Sequence, residues 1–152
     1  MKQAQLKIRR ARPGDERDID ILYRQLHEGD YLSTGAASMR RAIRAVSQKP
    51  DEALFVAVEG GRIVGTNHVL IFRHLGRALR PAAIIENMVV DSGRRGAGIG
   101  DALMAAALAI ARRKGCYKLS LTSNRKRRGA HRFYENFGMD RSHHGYTIYL
   151  TK

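Results

Sequence analysis

Residues Arg94 to Gly100 carry two arginines and three glycines between a β-branched apolar run, Ile84 to Val90, and an alanine-rich stretch. The apolar run predicts a buried strand, and the alanine-rich stretch predicts a helix. A helix N-terminus leaves four backbone amides without intrahelical partners and carries about half a positive charge, so it binds anions. Glycines let a phosphate approach these amides, and arginines add charge. The pattern predicts a phosphate-binding loop, with an ordinary glycine-rich turn as the alternative.

The glycine spacing excludes the two commonest phosphate loops. A Rossmann loop has its third glycine one residue further along than Gly100. A Walker loop has Gly-Lys-Ser or Gly-Lys-Thr where this sequence has Gly98-Ile99-Gly100. The loop therefore belongs to neither a dinucleotide-binding domain nor a P-loop nucleotidase.

Glu86 lies within the predicted apolar strand and is the candidate general base. Side chains alternate between the faces of a strand, so three apolar residues are expected on the face of Glu86: Ile84, Met88 and Val90. A carboxylate among apolar neighbours is expected to have a raised pKa, which suits a base that takes a proton directly or through water. An exposed or ion-paired strand carboxylate is the alternative.

Three motifs together resemble those of the GCN5-related N-acetyltransferases, the GNAT family. Arg95 to Gly100 fits the family's acetyl-CoA loop, Gln/Arg-x-x-Gly-x-Gly/Ala, at every fixed position. Glu86 to Val90 resembles the family's central strand, and Ala130 to Met139 resembles its closing Ala-x-x-Phe-Tyr-x-x-x-Gly-Phe signature, with Met139 in place of the last phenylalanine. The resemblance is close from Ile84 to Leu150, and the N-terminal half matches mainly in its order of elements.

The resemblance implies an N-acetyltransferase that passes the acetyl group of acetyl-CoA to a primary amine by direct attack in a ternary complex. It implies two catalytic residues, Glu86 as base and Tyr134 as the acid that protonates the CoA thiolate. Without the motif, Tyr134 would be interpreted as a core aromatic on a helical stripe. The implied acetyl-CoA-binding positions are Met88, Val89, Val90, Arg95, Gly96, Ala97, Gly98, Ile99, Gly100, Asn124 and Tyr134.

A metal site is not expected, although the chain has six histidines. The adjacent pair His143 and His144 would rarely share one metal ion. A solvated or substrate-contacting role suits these histidines better.

Alternating and helical periodicities predict the elements that must position these residues. Strands are predicted at Leu6 to Arg9, Leu54 to Glu59, Arg62 to Phe72, Ala82 to Val90, Lys118 to Ser123 and Tyr146 to Leu150. Four helices are predicted, the first capped by Asp15 and the third starting near Asp101. We expect one domain over residues 1–152, an α/β fold of the α+β type with a mixed, mostly antiparallel sheet. The resemblance implies the GNAT order, with about seven strands: β-α-α-β-β-β-α-β-α-β-β.

Composition limits where the protein acts and what it attracts. The net charge of +14, from 28 basic and 14 acidic residues, suits CoA phosphates, an acidic substrate or nucleic acid. The single cysteine, Cys116, cannot form an intramolecular disulfide. Met1 to Arg12 does not resemble a signal peptide, and the uncharged run Ala102 to Ala111 is too short to span a bilayer. A cytoplasmic location without membrane contact is expected.

The acceptor amine is the least determined part of the prediction. Leu121 to Tyr134 with Ser142-His143 is similar to the aminoalkylphosphonate N-acetyltransferases of the family, which favours a small primary amine with an anionic group. A protein lysine or N-terminal amine is the alternative acceptor. The competing class is a non-catalytic anion- or nucleic-acid-binding module, supported by the charge and by the cluster Arg125 to Arg128. Nucleic acid is not expected as a partner, and a homodimer is an open alternative because family members are often dimers.

Overall fold

The computed structural model describes residues 5–150. In chain order its elements are β1 (Lys7–Arg10), α1 (Glu16–Leu26), α2 (Ala36–Ser47), β2 (Glu52–Glu59), β3 (Arg62–Phe72), β4 (Ala82–Val90), α3 (Ile99–Arg113), β5 (Leu119–Leu121) and α4 (Arg128–Asn136). Single 3₁₀ turns stand at Arg77–Leu79 and Ser92–Arg94. The chain divides into two compact units, Met1–Ser120 and Leu121–Lys152. Within residues 5–150 no helix has both the length and the apolarity needed to cross a membrane.

The five strands form one sheet in the order β1-β2-β3-β4-β5. The first four pair antiparallel with their sequence neighbours. Gly60 and Gly61 make the two-residue turn between β2 and β3, where Glu59 pairs with Arg62, as the sequence predicts. Helix α3 connects β4 to β5. The mixed, mostly antiparallel α/β fold is thereby confirmed.

The two faces of the sheet are covered by different helices. Apolar residues of α1 and α2 pack with strand residues into one core: Ile19, Leu22, Ile43, Leu54, Val56, Ile63 and Val89. On the other face the side-chain amide of Asn67 donates to the backbone oxygen of Leu103 in α3, at 2.9 Å. A Cβ atom added to Gly65 would stand 3.0 Å from the Leu103 side chain and 3.1 Å from that of Ile99. Gly65 therefore lets α3 lie close against β3.

A β-bulge at Asn87 interrupts β4. Thr66 pairs with Val89 and His68 pairs with Glu86, so two β4 residues stand opposite Asn67. Asn87 has a φ of 49°, a left-handed conformation that asparagine tolerates better than most residues. The extra residue reverses the alternation of faces, so that Val89, rather than Met88 or Val90, shares the face of Glu86. The predicted face of Met88 and Val90 was wrong because a strict period of two does not count a bulge.

The sheet has fewer strands than the seven predicted. Tyr146 to Leu150 forms no strand, and all five of these residues are exposed. The fifth strand is confined to Leu119–Leu121 rather than extending from Lys118 to Ser123. An apolar alternation indicates a strand only where a partner strand supplies hydrogen bonds, and within residues 5–150 none pairs with this segment.

Asp15 is the N-cap residue of α1, as predicted, and its side chain links β1 to α1 by an ion pair with Arg9. Its carboxylate accepts two hydrogen bonds from the Arg9 guanidinium, at 2.7 and 2.8 Å, and one from the Arg12 amide, at 2.8 Å. Burial of Asp15 favours the neutral acid, yet these bonds and the charge of Arg9 keep its pKa below the ordinary value of 3.8. The predicted N-cap position is therefore confirmed, but the side chain makes no capping hydrogen bond, because Arg9 and Arg12 bind its carboxylate.

Candidate active site

The predicted phosphate loop is an uncapped helix N-terminus. Helix α3 begins at Ile99 after Gly98, whose φ of 75° lies in the left-handed region, and no side chain caps it. The first helical hydrogen bond joins the Ala102 amide to the Gly98 oxygen at 3.1 Å. Gly96 has a φ of 79°, and a Cβ atom at either glycine would meet nothing within 4 Å. The glycines are therefore required by backbone conformation, and the space above them is open to a ligand.

The two arginines of the loop have different surroundings. Arg94 forms an ion pair with Glu59 at the end of β2. Arg95 is exposed and makes no side-chain hydrogen bond or ion pair within the described part of the chain. The charge left to meet an anion at the N-terminus of α3 is therefore that of Arg95. Ile99 contributes differently, because its side chain is 1% exposed and anchors the helix in the core.

Gln25 of α1 holds the turn that leads into the loop. Its side-chain oxygen accepts a hydrogen bond from the Ser92 amide at 2.9 Å, and its side-chain nitrogen donates to Asp91 at 3.3 Å. Asp91 also accepts from the Gly93 amide at 2.9 Å. Sequence reasoning missed Gln25, since nothing local marks a contact with residues 66 and 67 positions away.

Glu86 lies exposed on β4, at the rim of a cavity of about 540 Å³. Apolar strand residues and three carboxylates line this cavity, which we name the Glu86 cavity: Lys49, Pro50, Asp51, Glu52, Leu70, Ile71, Phe72, Ile84 and Glu86. The structure thus shows the alternative drawn from the sequence, an exposed strand carboxylate, rather than one surrounded by apolar neighbours. The carboxylate instead stands where a solvent-borne ligand can reach it.

The other two carboxylates of the Glu86 cavity already have partners. Glu52 binds Lys49 at 2.6 Å and His68 at 3.2 Å, and Asp51 lies 3.3 Å from Lys114. The hydrogen bond from Lys49 is the main cause of the lowered pKa of Glu52, which partial burial opposes. The Glu86 side chain makes no hydrogen bond or ion pair with any other residue that the structure describes. It is therefore the carboxylate of this cavity left to bind an ammonium group or accept its proton.

Tyr134 and Asn124 belong to the second unit. Tyr134 is 9% exposed, and its ring meets that of Phe133 edge to face at 5.2 Å. Burial raises the pKa of the Tyr134 phenol, against the opposing charge of Arg127, so the phenol stays protonated at neutral pH. Its hydroxyl makes no hydrogen bond within residues 5–150. A protonated phenol without an internal partner is suited to donate to a ligand.

Asn124 shapes the turn before α4. Its side-chain oxygen accepts a hydrogen bond from the Lys126 amide at 2.9 Å, and its backbone oxygen accepts from the ring of His131 at 2.9 Å. The side-chain nitrogen has no partner among the described residues. The structure thus assembles Glu86, Met88 to Val90 and the loop within the first unit, and Asn124 with Tyr134 within the second.

Comparison with known proteins matches this chain to acetyltransferases. The family model described as the acetyltransferase (GNAT) family matches residues 20–139. A glucosamine 6-phosphate N-acetyltransferase of Trypanosoma brucei brucei is 39% identical over 102 residues, which are 67% of this chain and 64% of that protein. An aminoalkylphosphonate N-acetyltransferase of Salmonella typhimurium is 37% identical over 130 residues, 86% of this chain and 84% of that protein.

A crystal structure shows the same fold. Glucosamine-6-phosphate N-acetyltransferase of Arabidopsis thaliana superimposes with a TM-score of 0.85 at 27% identity, covering 97% of this chain and 99% of that one. These matches confirm the family resemblance drawn from the three motifs. They also confirm, at the level of the family, an N-acetyltransferase that uses acetyl-CoA as its acetyl donor.

Proposed function

The chain belongs to the acetyltransferase (GNAT) family, and we propose that it transfers the acetyl group of acetyl-CoA to the primary amine of a small metabolite. The observation that carries the proposal is Glu86, an unpaired carboxylate at the rim of the Glu86 cavity and immediately before the bulge of β4. The uncapped N-terminus of α3, with Arg95 beside it, supplies the site for the donor's pyrophosphate.

The reaction proceeds by direct attack in a ternary complex. Glu86 takes a proton from the ammonium form of the acceptor, directly or through water, and leaves a neutral amine. The amine nitrogen forms a bond to the thioester carbon while backbone amides of Met88 to Val90 bind the carbonyl oxygen. The carbon–sulfur bond then breaks, the Tyr134 hydroxyl protonates the departing thiolate, and the second proton lost by the attacking nitrogen returns to the Tyr134 oxygen through solvent. The roles of Met88 to Val90, Asn124 and Tyr134 are carried over from the family motifs that these residues match.

The chemistry of Cys116 supports direct attack over a covalent intermediate. Cys116 is the one cysteine of the sequence, and burial is the largest cause of its raised pKa. A thiol with a raised pKa supplies little thiolate at neutral pH, and the thiolate is the nucleophilic form. An acetyl-cysteine intermediate is therefore disfavoured.

The volume of the Glu86 cavity supports a small-molecule acceptor. A volume of about 540 Å³ suits a metabolite. The matched relatives are named for acceptors that pair an amine with a phosphate or phosphonate, and this chain's excess of positive charge suits such an acceptor. An acceptor lysine or N-terminal amine of a protein is the alternative, and it would also present an ammonium group to Glu86.

Three further features stay predictions. A single domain over residues 1–152 is supported by the family model, which spans residues of both units. A cytoplasmic location and a homodimer are expectations drawn from composition and from the family resemblance.

The competing class, a non-catalytic anion- or nucleic-acid-binding module, predicts tight binding of polyanions without turnover of acetyl-CoA.

Two-substrate kinetics test the proposed mechanism. A panel of primary amines, with and without phosphate groups, is screened by the release of CoA thiol, and the best acceptor is taken into initial-rate measurements. Intersecting double-reciprocal lines are expected for a ternary complex. Parallel lines, or acetylated protein isolated in the absence of amine, would show a covalent intermediate and overturn direct attack.

A further inference from the structure

The second unit contains a cavity of about 310 Å³ whose lining is dominated by arginine. The lining residues include four arginines and one glutamate. We name this pocket the arginine cavity, and it is lined by Arg125, Arg128, His131, Arg132, Glu135 and Arg141. Neither the loop before α3 nor the Glu86 cavity includes any of these residues. The function proposed above therefore leaves this concentration of charge without a role.

Helix α4 presents four of these residues on one face. Arg128, His131, Arg132 and Glu135 follow the i, i+3, i+4, i+7 spacing, while the buried Tyr134 lies on the opposite, apolar face. Arg125 precedes the helix and Arg141 follows it. The cavity is thus built by one helix face and the two chain segments that flank it.

The arginines are placed where they destabilise the free helix. Arg128 and Arg132 are like charges at i and i+4, which repel each other. Arg128 also lies in the first turn, where the helix dipole disfavours a cation and where α4 has no acidic residue. A bound anion would offset both costs. An arrangement that opposes local helix stability is typical of a ligand site.

Few of these charges are satisfied within the protein. Among residues 5–150, Arg125, Arg128 and Arg132 make no side-chain hydrogen bond or ion pair. Glu135 is the one carboxylate of the cavity, and it approaches Arg141 at 3.9 Å.

His131 fixes the position of Arg141. A ring nitrogen of His131, Nε2, must carry a hydrogen to donate to the Asn124 oxygen at 2.9 Å, since a carbonyl can only accept. In the neutral ring the other nitrogen is then an acceptor, and Arg141 approaches it at 3.4 Å. His131 therefore ties Arg141 to the turn before α4 without adding a carboxylate that would neutralise it.

From this geometry we infer that the arginine cavity binds a phosphate or phosphonate group of a ligand of this enzyme. Arginine binds tetrahedral oxyanions with paired hydrogen bonds, and several guanidinium groups around one cavity match a dianion in charge. The identity of the ligand rests on the proposed function: the group is either the 3′-phosphate of acetyl-CoA or the anionic group of the acceptor amine. Both present the same chemistry to the cavity.

Inorganic phosphate tests the site independently of any turnover. Calorimetry at low salt compares the wild type, the double variant Arg128→Gln/Arg132→Gln and the control Arg112→Gln/Arg113→Gln, which removes two exposed arginines from the last turn of α3. The double variant should lose about tenfold or more in phosphate affinity, while the control keeps it. Without phosphate the double variant should melt no lower than the wild type, because it relieves like-charge repulsion. Equal phosphate affinity in all three proteins would overturn the site.

Matched ligands identify the source of the phosphate. If it is the 3′-phosphate, the wild type binds acetyl-CoA about tenfold or more tightly than its 3′-dephospho form, and the double variant binds both equally. If it belongs to the acceptor, the double variant raises KM for 2-aminoethyl phosphate but not for ethanolamine. The inference is overturned if the double variant distinguishes acetyl-CoA from its 3′-dephospho form, and 2-aminoethyl phosphate from ethanolamine, as strongly as the wild type does. Phosphate binding without acetyl transfer to any amine would refute the proposed function and leave the anion site standing.

Discussion

At the scale of single residues, the two proposed catalytic groups, Glu86 and Tyr134, differ in their exposure. Glu86 is exposed and without a partner, so an acceptor ammonium can reach it from solvent. Tyr134 is buried, and the loss of hydration raises the pKa of its phenol and keeps it protonated. Motifs in the sequence predict both residues as catalytic, and these roles stay predictions. The sequence left the exposure of Glu86 as an alternative, because the coverage of a strand face depends on where distant helices end.

Replacing Glu86 by Gln should lower turnover by about 10²-fold or more with little loss of acetyl-CoA affinity, because the amide cannot take the amine proton. Thiol release at saturating substrates and calorimetry with acetyl-CoA measure the two effects. Asp140→Asn removes one charge from an exposed carboxylate of the second unit and serves as the control. Full turnover of the Gln variant across the pH range would show that another group takes the proton.

Replacing Tyr134 by Phe should lower turnover about 10- to 10³-fold while the melting temperature barely changes, since the ring stays and the proton is lost. Thiol release at saturating acetyl-CoA is compared with thermal unfolding. Tyr117→Phe removes a hydroxyl from a partly exposed ring of the first unit and should change neither quantity. An equal loss of stability and activity in Tyr134→Phe would instead identify a structural hydroxyl.

At the scale of elements, the position of α3 determines where the predicted phosphate loop lies. The sequence predicted the strand, loop and helix because β-branched runs, glycines and alanines carry local signals. It could not predict that Gly65 on β3 admits α3, or that Gln25 holds Ser92, because both contacts join residues far apart in the chain. The bulge at Asn87 was likewise missed, although an asparagine inside an apolar strand is a hint of it.

Replacing Gly65 by Ala should destabilise the fold by about 1–3 kcal/mol, because the new methyl group would stand 3.2 Å from the Val89 backbone oxygen and 3.0 Å from Leu103. Displacement of α3 should also weaken acetyl-CoA binding. Chemical denaturation and calorimetry measure these effects. Gly129→Ala is the control, since a Cβ atom there meets nothing within 4 Å. A Gly65→Ala protein as stable as the wild type would show that α3 adjusts freely.

Replacing Asp15 by Asn should cost about 2–3 kcal/mol at neutral pH, because it leaves Arg9 unpaired. The pKa of Asp15 in the folded protein lies below its ordinary value of 3.8. Its stabilising contribution is therefore complete above pH 3.8 and is lost as the pH falls through the folded-state pKa. Denaturation between pH 7 and pH 2 should show the difference between variant and wild type shrinking toward the acid end. A constant difference would contradict the ion pair as its cause.

At the scale of the whole molecule, positive charge is the property that relates donor, acceptor and the arginine cavity. A net charge of +14 attracts anionic ligands over distances of about 10 Å at moderate salt. Composition predicted this attraction but could not locate it. Only the folded chain shows that Arg94 forms an ion pair with Glu59, whereas the side chains of Arg95 and of the arginines of α4 make no ion pair among the described residues.

The most direct test of the account measures the products of one reaction. Wild-type protein is mixed with acetyl-CoA and a primary amine, and CoA thiol and N-acetylated amine are quantified over time by thiol titration and mass spectrometry. The two products should appear in a one-to-one ratio, omission of the amine should stop both, and Glu86→Gln should slow both equally. Thiol release that does not depend on the amine, or no acetylated product from any amine of the panel, would contradict it.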